Sequence, residues 1–348
     1  MKRKQIIDFL TLVLFFGIIL SLTIYSGIGA LIDSHGGKYK QEVKFSSAFY
    51  GDNNIQSFIR YVDYKFFAHS DEENVIIGKD GWIFETVNEK NGYNYLLDYV
   101  GGASFSDAEL VRISENIERE RAYYENIGVE YLVIVIPSSM AICEDKVPSF
   151  LGKRSDKTRL SILTEYLSTQ SAYIDPTASL KSDYAIETPY NNTEDSINAY
   201  GAYSIYNTVM GRLSTKPGAP MLRLNYNDIE FSVRMTDGKT AAVNAKLERI
   251  VKNRTVSLTD EMTGGYTVTR NENCLITAKK EFTGSTPTLM LELPAEWDRI
   301  QMMPLFSNTF DTVIYESGGV DLHSAVENHS PDFVVRMVRE GELETLLK

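Results

Sequence analysis

The sequence predicts an α/β three-layer sandwich built on a mainly parallel sheet. Three observations carry this. "VEYLVIVIP" (129–137) is a continuous, β-branched apolar run, the pattern of a strand covered on both faces. A strongly signalled helix leads straight into it. Further apolar strands, "TPTLMLEL" (286–293), "DTVIYES" (311–317) and "PDFVVRMV" (331–338), are separated by stretches long enough for helices. Alternation of strand and helix is the pattern of a parallel sheet with helices on its faces.

Taken in order, the chain opens on Lys2, Arg3 and Lys4, followed from Phe9 to Ile32 by a charge-free run rich in Leu, Ile and Phe. A bilayer core needs about 20 apolar residues, and a basic flank stays in the cytoplasm. The expectation is a cytoplasmic tail (1–8), a single-pass anchor (9–32), a juxtamembrane stalk (33–73) and an exported domain (74–348). A cleaved signal peptide is the rival reading. The run exceeds the usual apolar core of about 7–15 residues, and no clean A-x-A site follows it.

In "NVIIGKDGWIFETV" (74–87), two β-rich runs flank Lys79-Asp80-Gly81, a hairpin signal. In "FSDAELVRISENIERERAYYENIG" (105–128), Ser106 and Glu109 have capping-box spacing. Leu110, Ile113, Ile117, Tyr124 and Ile127 are expected on one helix face, and Gly128 supplies a stop. "RLSILTEYLS" (159–168) reads as helix, "SAYIDP" (171–176) as a short strand, and "NAYGAYSIYNTVMGRL" (198–213) as a helix containing Gly201. Between 222 and 280, short alternating segments such as "DIEFSVRMT" and "CLITAKKEF" predict an antiparallel β insertion.

Composition excludes some function classes. A net charge of -12 argues against a nucleic-acid partner, because affinity for phosphate backbones comes from lysine and arginine. Two cysteines, Cys143 and Cys274, are too few for a disulfide scaffold or a paired-cysteine zinc module. None of the four histidines sits in a helical pair spaced for metal, and no cofactor motif is present.

The ordered set "IIGKDGWIF", "GVEYLVIVIP", "AICEDKVPSF", "YNNTEDSINAYGAYSIYNTVM" and "SPDFVVRMVREGELETLL" resembles the SGNH-hydrolase-like proteins of the AlgX/AlgJ type and their DHHW-motif relatives, from about residue 74 onward. The resemblance implies a flavodoxin-like α/β fold and an extracytoplasmic place at the bacterial membrane. It also implies a part in acetylating secreted polysaccharide alongside a membrane-bound O-acyltransferase. The implied chemistry uses Asp and His of a D-H-H-W-type motif before a G-A-Y helix, and Ser of a G-D-S-F motif after a late strand. The imidazole takes the serine proton and the acid orients the imidazole.

This chain departs from that pattern. Counting back from Gly201-Ala202-Tyr203, the D-H-H-W places hold Glu194, Asp195, Ser196 and Ile197. With Pro304 as anchor, the G-D-S places hold Ala295, Glu296 and Trp297, and no serine lies between Ser285 and Ser307. Loss of triad members costs on the order of 10⁴–10⁶ in rate. The expectation is therefore a degenerate, pseudoenzyme-like site, with Glu194 or Asp195 capping the following helix. An active esterase or acetyltransferase with relocated residues, drawn from Ser138, Ser139 and His323, is the alternative, and a structural envelope protein is a third reading.

Overall fold

A computed structural model of the chain describes residues 72–213, 223–270, 274–279, 287–294, 296–317 and 321–348, with isolated positions 17, 64 and 70. The chain divides into two units, Met1–Phe67 and Ala68–Lys348, and the second holds the fold below. The expected anchor and most of the expected stalk lie outside the described residues. Among the described residues, no helix is long and apolar enough to cross a membrane.

The fold begins with the hairpin β1 (Val75–Ile77) and β2 (Ile83–Glu85). Its turn places Asp80 at φ 54° and Gly81 at φ 81°. Two successive positive-φ residues make the type I′ geometry for which Asp-Gly is suited. Trp82 is buried and stacks on Phe84 at 5.5 Å. Helix α1 (Tyr95–Tyr99) leads to α2 (Asp107–Asn126), which carries the expected capping box, Ser106 with Glu109, and ends before Gly128 at φ 80°.

Strand β3 (Glu130–Ile136) follows, then the one-turn α3 (Ser139–Ile142), α4 (Arg159–Leu167), β4 (Tyr173–Ile174), α5 (Thr177–Tyr184) and α6 (Ala199–Leu213). After these come β5 (Phe231–Asp237), α7 (Thr240–Asn244), β6 (Lys252–Leu258), α8 (Asp260–Thr263), β7 (Tyr266–Arg270) and β8 (Cys274–Lys279). The chain closes with β9 (Leu289–Leu293), α9 (Glu296–Thr309), β10 (Thr312–Ser317), α10 (Leu322–His329), β11 (Phe333–Arg339) and a 3₁₀ segment, Glu340–Leu347.

The main sheet runs β4-β3-β11-β9-β10-β8-β7. Its first five strands are parallel, and β8 and β7 add antiparallel at one edge. The predicted insertion is thus split. Strands β5 and β6 form a separate antiparallel ribbon, whereas β7 and β8 extend the main sheet. The parallel strands also depart from the flavodoxin order 2-1-3-4-5. Here the last strand sits between the first and the third, because β11 is apolar on both faces and pairs with β3 over seven residues, Phe333↔Glu130 to Arg339↔Ile136.

Alternate residues feed two cores. Leu132, Ile134 and Ile136 pack with α6 and α9 (Tyr206, Phe306) on one face. Tyr131, Val133 and Val135 pack with α2 and α4 (Ile113, Ile117, Leu163) on the other. Period-2 alternation on a doubly covered strand produces this three-layer arrangement.

A candidate site at the carboxyl rim of the sheet

Ligands of open α/β sheets bind beyond the carboxyl ends of strands. The adjacent strands β3 and β11 end there in Pro137-Ser138-Ser139 and Arg339-Glu340. Residues 189–198 fold over this rim. A bridge pairs Tyr190 with Ile197, and inside the loop Asn191 Nδ2 donates to Glu194 Oε1 (3.1 Å) and Ser196 Oγ (2.9 Å). The buried Tyr190 hydroxyl donates to the Pro137 carbonyl at 2.5 Å, pinning the loop to the strand end.

The two backbone N–H groups that open α3 are already taken by carboxylates of this chain. Ser138 N donates to Glu340 Oε2 at 2.6 Å, and Ser139 N donates to Asp195 Oδ1 at 2.7 Å. Paired N–H groups of this kind are what an enzyme aims at a developing oxyanion. Arg154 Nη2 reaches the other Glu340 oxygen at 3.2 Å, and Arg339 Nη1 donates to the Asp195 carbonyl at 3.3 Å. The space left between Pro137, Tyr190, Asp195, Arg339 and Glu340 is about 10 Å³, room for about one water. A wider cavity of about 330 Å³, lined by Arg121, Glu130 and Arg212 among others, lies at the amino ends of β3 and β4, away from this chemistry.

Charge at the rim is mostly negative. Burial, with Asp195 and Glu194 nearby, pushes the Glu85 carboxyl up to about 7 against the opposing pull of Arg339. Glu340 is likewise raised by burial, although Arg154 and the Ser138 N–H favour its ionised form. Because folding raises the Glu85 pKa, the folded state holds the proton more tightly. Its contribution to stability is fully present below about pH 4.5 and is lost as pH rises through about 7. Urea melts across that window should show stability falling with pH in the unmodified chain and a flatter profile in Glu85→Gln.

The helix-cap expectation for the acidic pair is corrected. Asn198 caps α6, its Oδ1 accepting from Tyr200 N (2.9 Å) and Gly201 N (3.1 Å). Asp195 instead serves α3, because the Tyr190–Ile197 bridge turns the loop back onto the sheet. Asn198 Nδ2 also bonds the carbonyls of Thr188 (2.7 Å) and Tyr190 (3.3 Å). Asn198→Ala should cost about 2 kcal/mol, the upper end for a lost cap, in chemical denaturation.

The other expected positions do not assemble. Trp297 falls in the first turn of α9, just past the carboxyl end of β9. Ser138 and Ser139 are buried at the rim, but the acids beside them are Glu340 and Asp195. His323 lies on α10 on the α2 side of the sheet, stacked on Tyr123 at 4.2 Å, with Nε2 bonded to Glu120 at 2.8 Å. Cys143 and Cys274 are both free and buried. The rim residues missed from sequence are Glu85, Arg154, Arg339 and Glu340. The Arg-Glu pair closing the apolar run "FVVRMVRE" was the available signal for two of them, since charges at a strand's carboxyl end face the rim.

No protein-family model matches the chain, and no curated protein matches it in sequence. Solved structures do match it in fold. PatB1 of Bacillus cereus, solved with a sulfonyl adduct, superposes with a TM-score of 0.54 at 13% identity, over 81% of this chain and 99% of that one. A DHHW family protein of Eubacterium siraeum gives 0.51 at 9% identity, over 79% and 95%. The O-acetyltransferase domain of Pseudomonas putida AlgJ gives 0.50 at 14% identity, over 78% and 92%. The chain therefore has the fold of the AlgJ- and DHHW-type O-acetyltransferase-like proteins.

Proposed function

We propose that this chain is a membrane-anchored, extracytoplasmic accessory of a cell-surface polysaccharide O-acetylation system. It is catalytically silent and acts by binding the glycan or the membrane-bound O-acyltransferase. The observation that carries the reading is the closed rim. The N–H groups of Ser138 and Ser139 are held by Glu340 and Asp195, and the space beside them admits about one water. Held in this way, the two N–H groups are not open to a developing oxyanion, and the space directly beside them is small. The fold shared with AlgJ, solved as an O-acetyltransferase domain, supports this system, and the basic flank with the apolar run at 9–32 supports the anchor.

The test has two arms. A chromogenic acetyl ester should be hydrolysed no faster with the chain than without it. Activity that disappears in Ser138→Ala, Ser139→Ala or His323→Ala would establish the relocated-residue alternative instead. In detergent, the full chain should co-purify with a multi-pass acyltransferase encoded beside it, or bind the acetylated polysaccharide by calorimetry. Failure of both would overturn the accessory role.

A further inference from the structure

On the sheet face opposite the α6 side, at the far end from β3, a thiol, a carboxylate and an imidazole converge from three elements. Cys274 begins β8, Glu316 lies opposite it in register on β10, and His329 ends α10. The Cys274 sulfur stands 3.8 Å from His329 Nε2, and one donor atom from each of the three falls within 4.8 Å of the others. Ser330, at φ 47°, ends the helix in a left-handed turn, which fixes where His329 projects.

We propose that Cys274, Glu316 and His329 form a site for a zinc-like divalent cation, with solvent completing the coordination. Three features favour a ligand here over ordinary packing. Glu316 is 3% exposed, and its Oε2 has no hydrogen-bond partner, an arrangement that leaves a buried acceptor unsatisfied. Cys274, at 7% exposed, offers only a weak S–H donor to that carboxylate. Zinc bonds of about 2.3 Å to sulfur and about 2.0–2.2 Å to nitrogen or oxygen put tetrahedral ligand atoms about 3.3–3.7 Å apart. The donors are therefore within a small side-chain adjustment of coordination distance.

The donor set also selects the ion. A thiolate with an imidazole suits zinc or cobalt, whereas calcium and magnesium take oxygen ligands. On binding, the Cys274 thiol releases its proton to solvent and the sulfur–metal bond forms; no electron changes hands. The next carboxylate along the sheet, Glu292 on β9, is ion-paired with Arg336 at 3.1 Å.

The full chain, stripped with a chelator, should take up one zinc per chain in competition with a chromophoric chelator. Its cobalt complex should show thiolate-to-metal charge-transfer absorption. Cys274→Ser and His329→Ala should each weaken zinc binding by about 100-fold or more, beyond the 10–100-fold cost of losing an outer-shell partner. Cys143→Ser, whose thiol lies in the other core, should bind as the unmodified chain does. Absence of saturable binding, absence of the thiolate band in the unmodified chain, or undiminished binding in folded Cys274→Ser would each overturn the site. The cobalt spectrum needs no variant, so the inference stays testable even if a substitution prevents folding.

Discussion

Glu340→Ala should destabilise the fold by about 3–5 kcal/mol, read from the midpoint of urea or guanidinium unfolding. Glu340 is 3% exposed. It holds the Ser138 N–H at 2.6 Å and Arg154 at 3.2 Å, and the Arg154 side chain is itself only 13% exposed. The large effect comes from what remains: a guanidinium with its countercharge gone and a backbone donor with no acceptor. Glu340→Gln keeps an acceptor for Ser138 while leaving the Arg154 charge unbalanced, so its loss should fall between Ala and the unmodified chain. If Ala and Gln both change stability by under about 1 kcal/mol, the rim is not held by this carboxylate.

Gly201→Ala should destabilise by about 1–3 kcal/mol, reversing the usual gain when a helical glycine becomes alanine. A Cβ at 201 would stand 2.3 Å from the Pro189 carbonyl oxygen and 3.1 Å from its Cβ. Backbone cannot swing aside as a flexible side chain can. The strain must therefore push away the loop that begins at Pro189 and carries Asp195 to the rim. Faster hydrogen exchange at Ser139 N–H should accompany the loss. Gly211, in the same helix, provides the control. A Cβ there meets nothing within 4 Å, and Gly211→Ala should stabilise by about 0.5–1 kcal/mol.

Gly201 also marks how far reading the sequence reaches. The helix around it was legible from its apolar face, but the reason for a glycine was not, because Pro189 becomes its neighbour only through the loop. The same division runs through the rim. Asp195 stands out in "NNTEDSI", yet whether it caps α6 or α3 depends on the Tyr190–Ile197 bridge, which no local pattern announces. Glu85 lies 254 positions from Arg339 and 110 from Asp195 in the chain and meets both only after folding. Cys274 and His329 read as isolated residues, since no helical or C-x-x-C spacing joins them.

The sequence alone determined the elements whose causes are local. These are the Asp-Gly turn, the Ser106–Glu109 box with its Gly128 stop, and the parallel-sheet strands recognisable from unbroken apolar runs. Tertiary structure decided the strand order with β11 at the centre, the split of the 222–280 segment between two sheets, and the partner of every buried charge at the rim. The physical reason is range. Propensity, capping and periodicity act over a few residues, whereas desolvated carboxylates and paired strands take their meaning from groups that only the folded chain brings within about 3 Å.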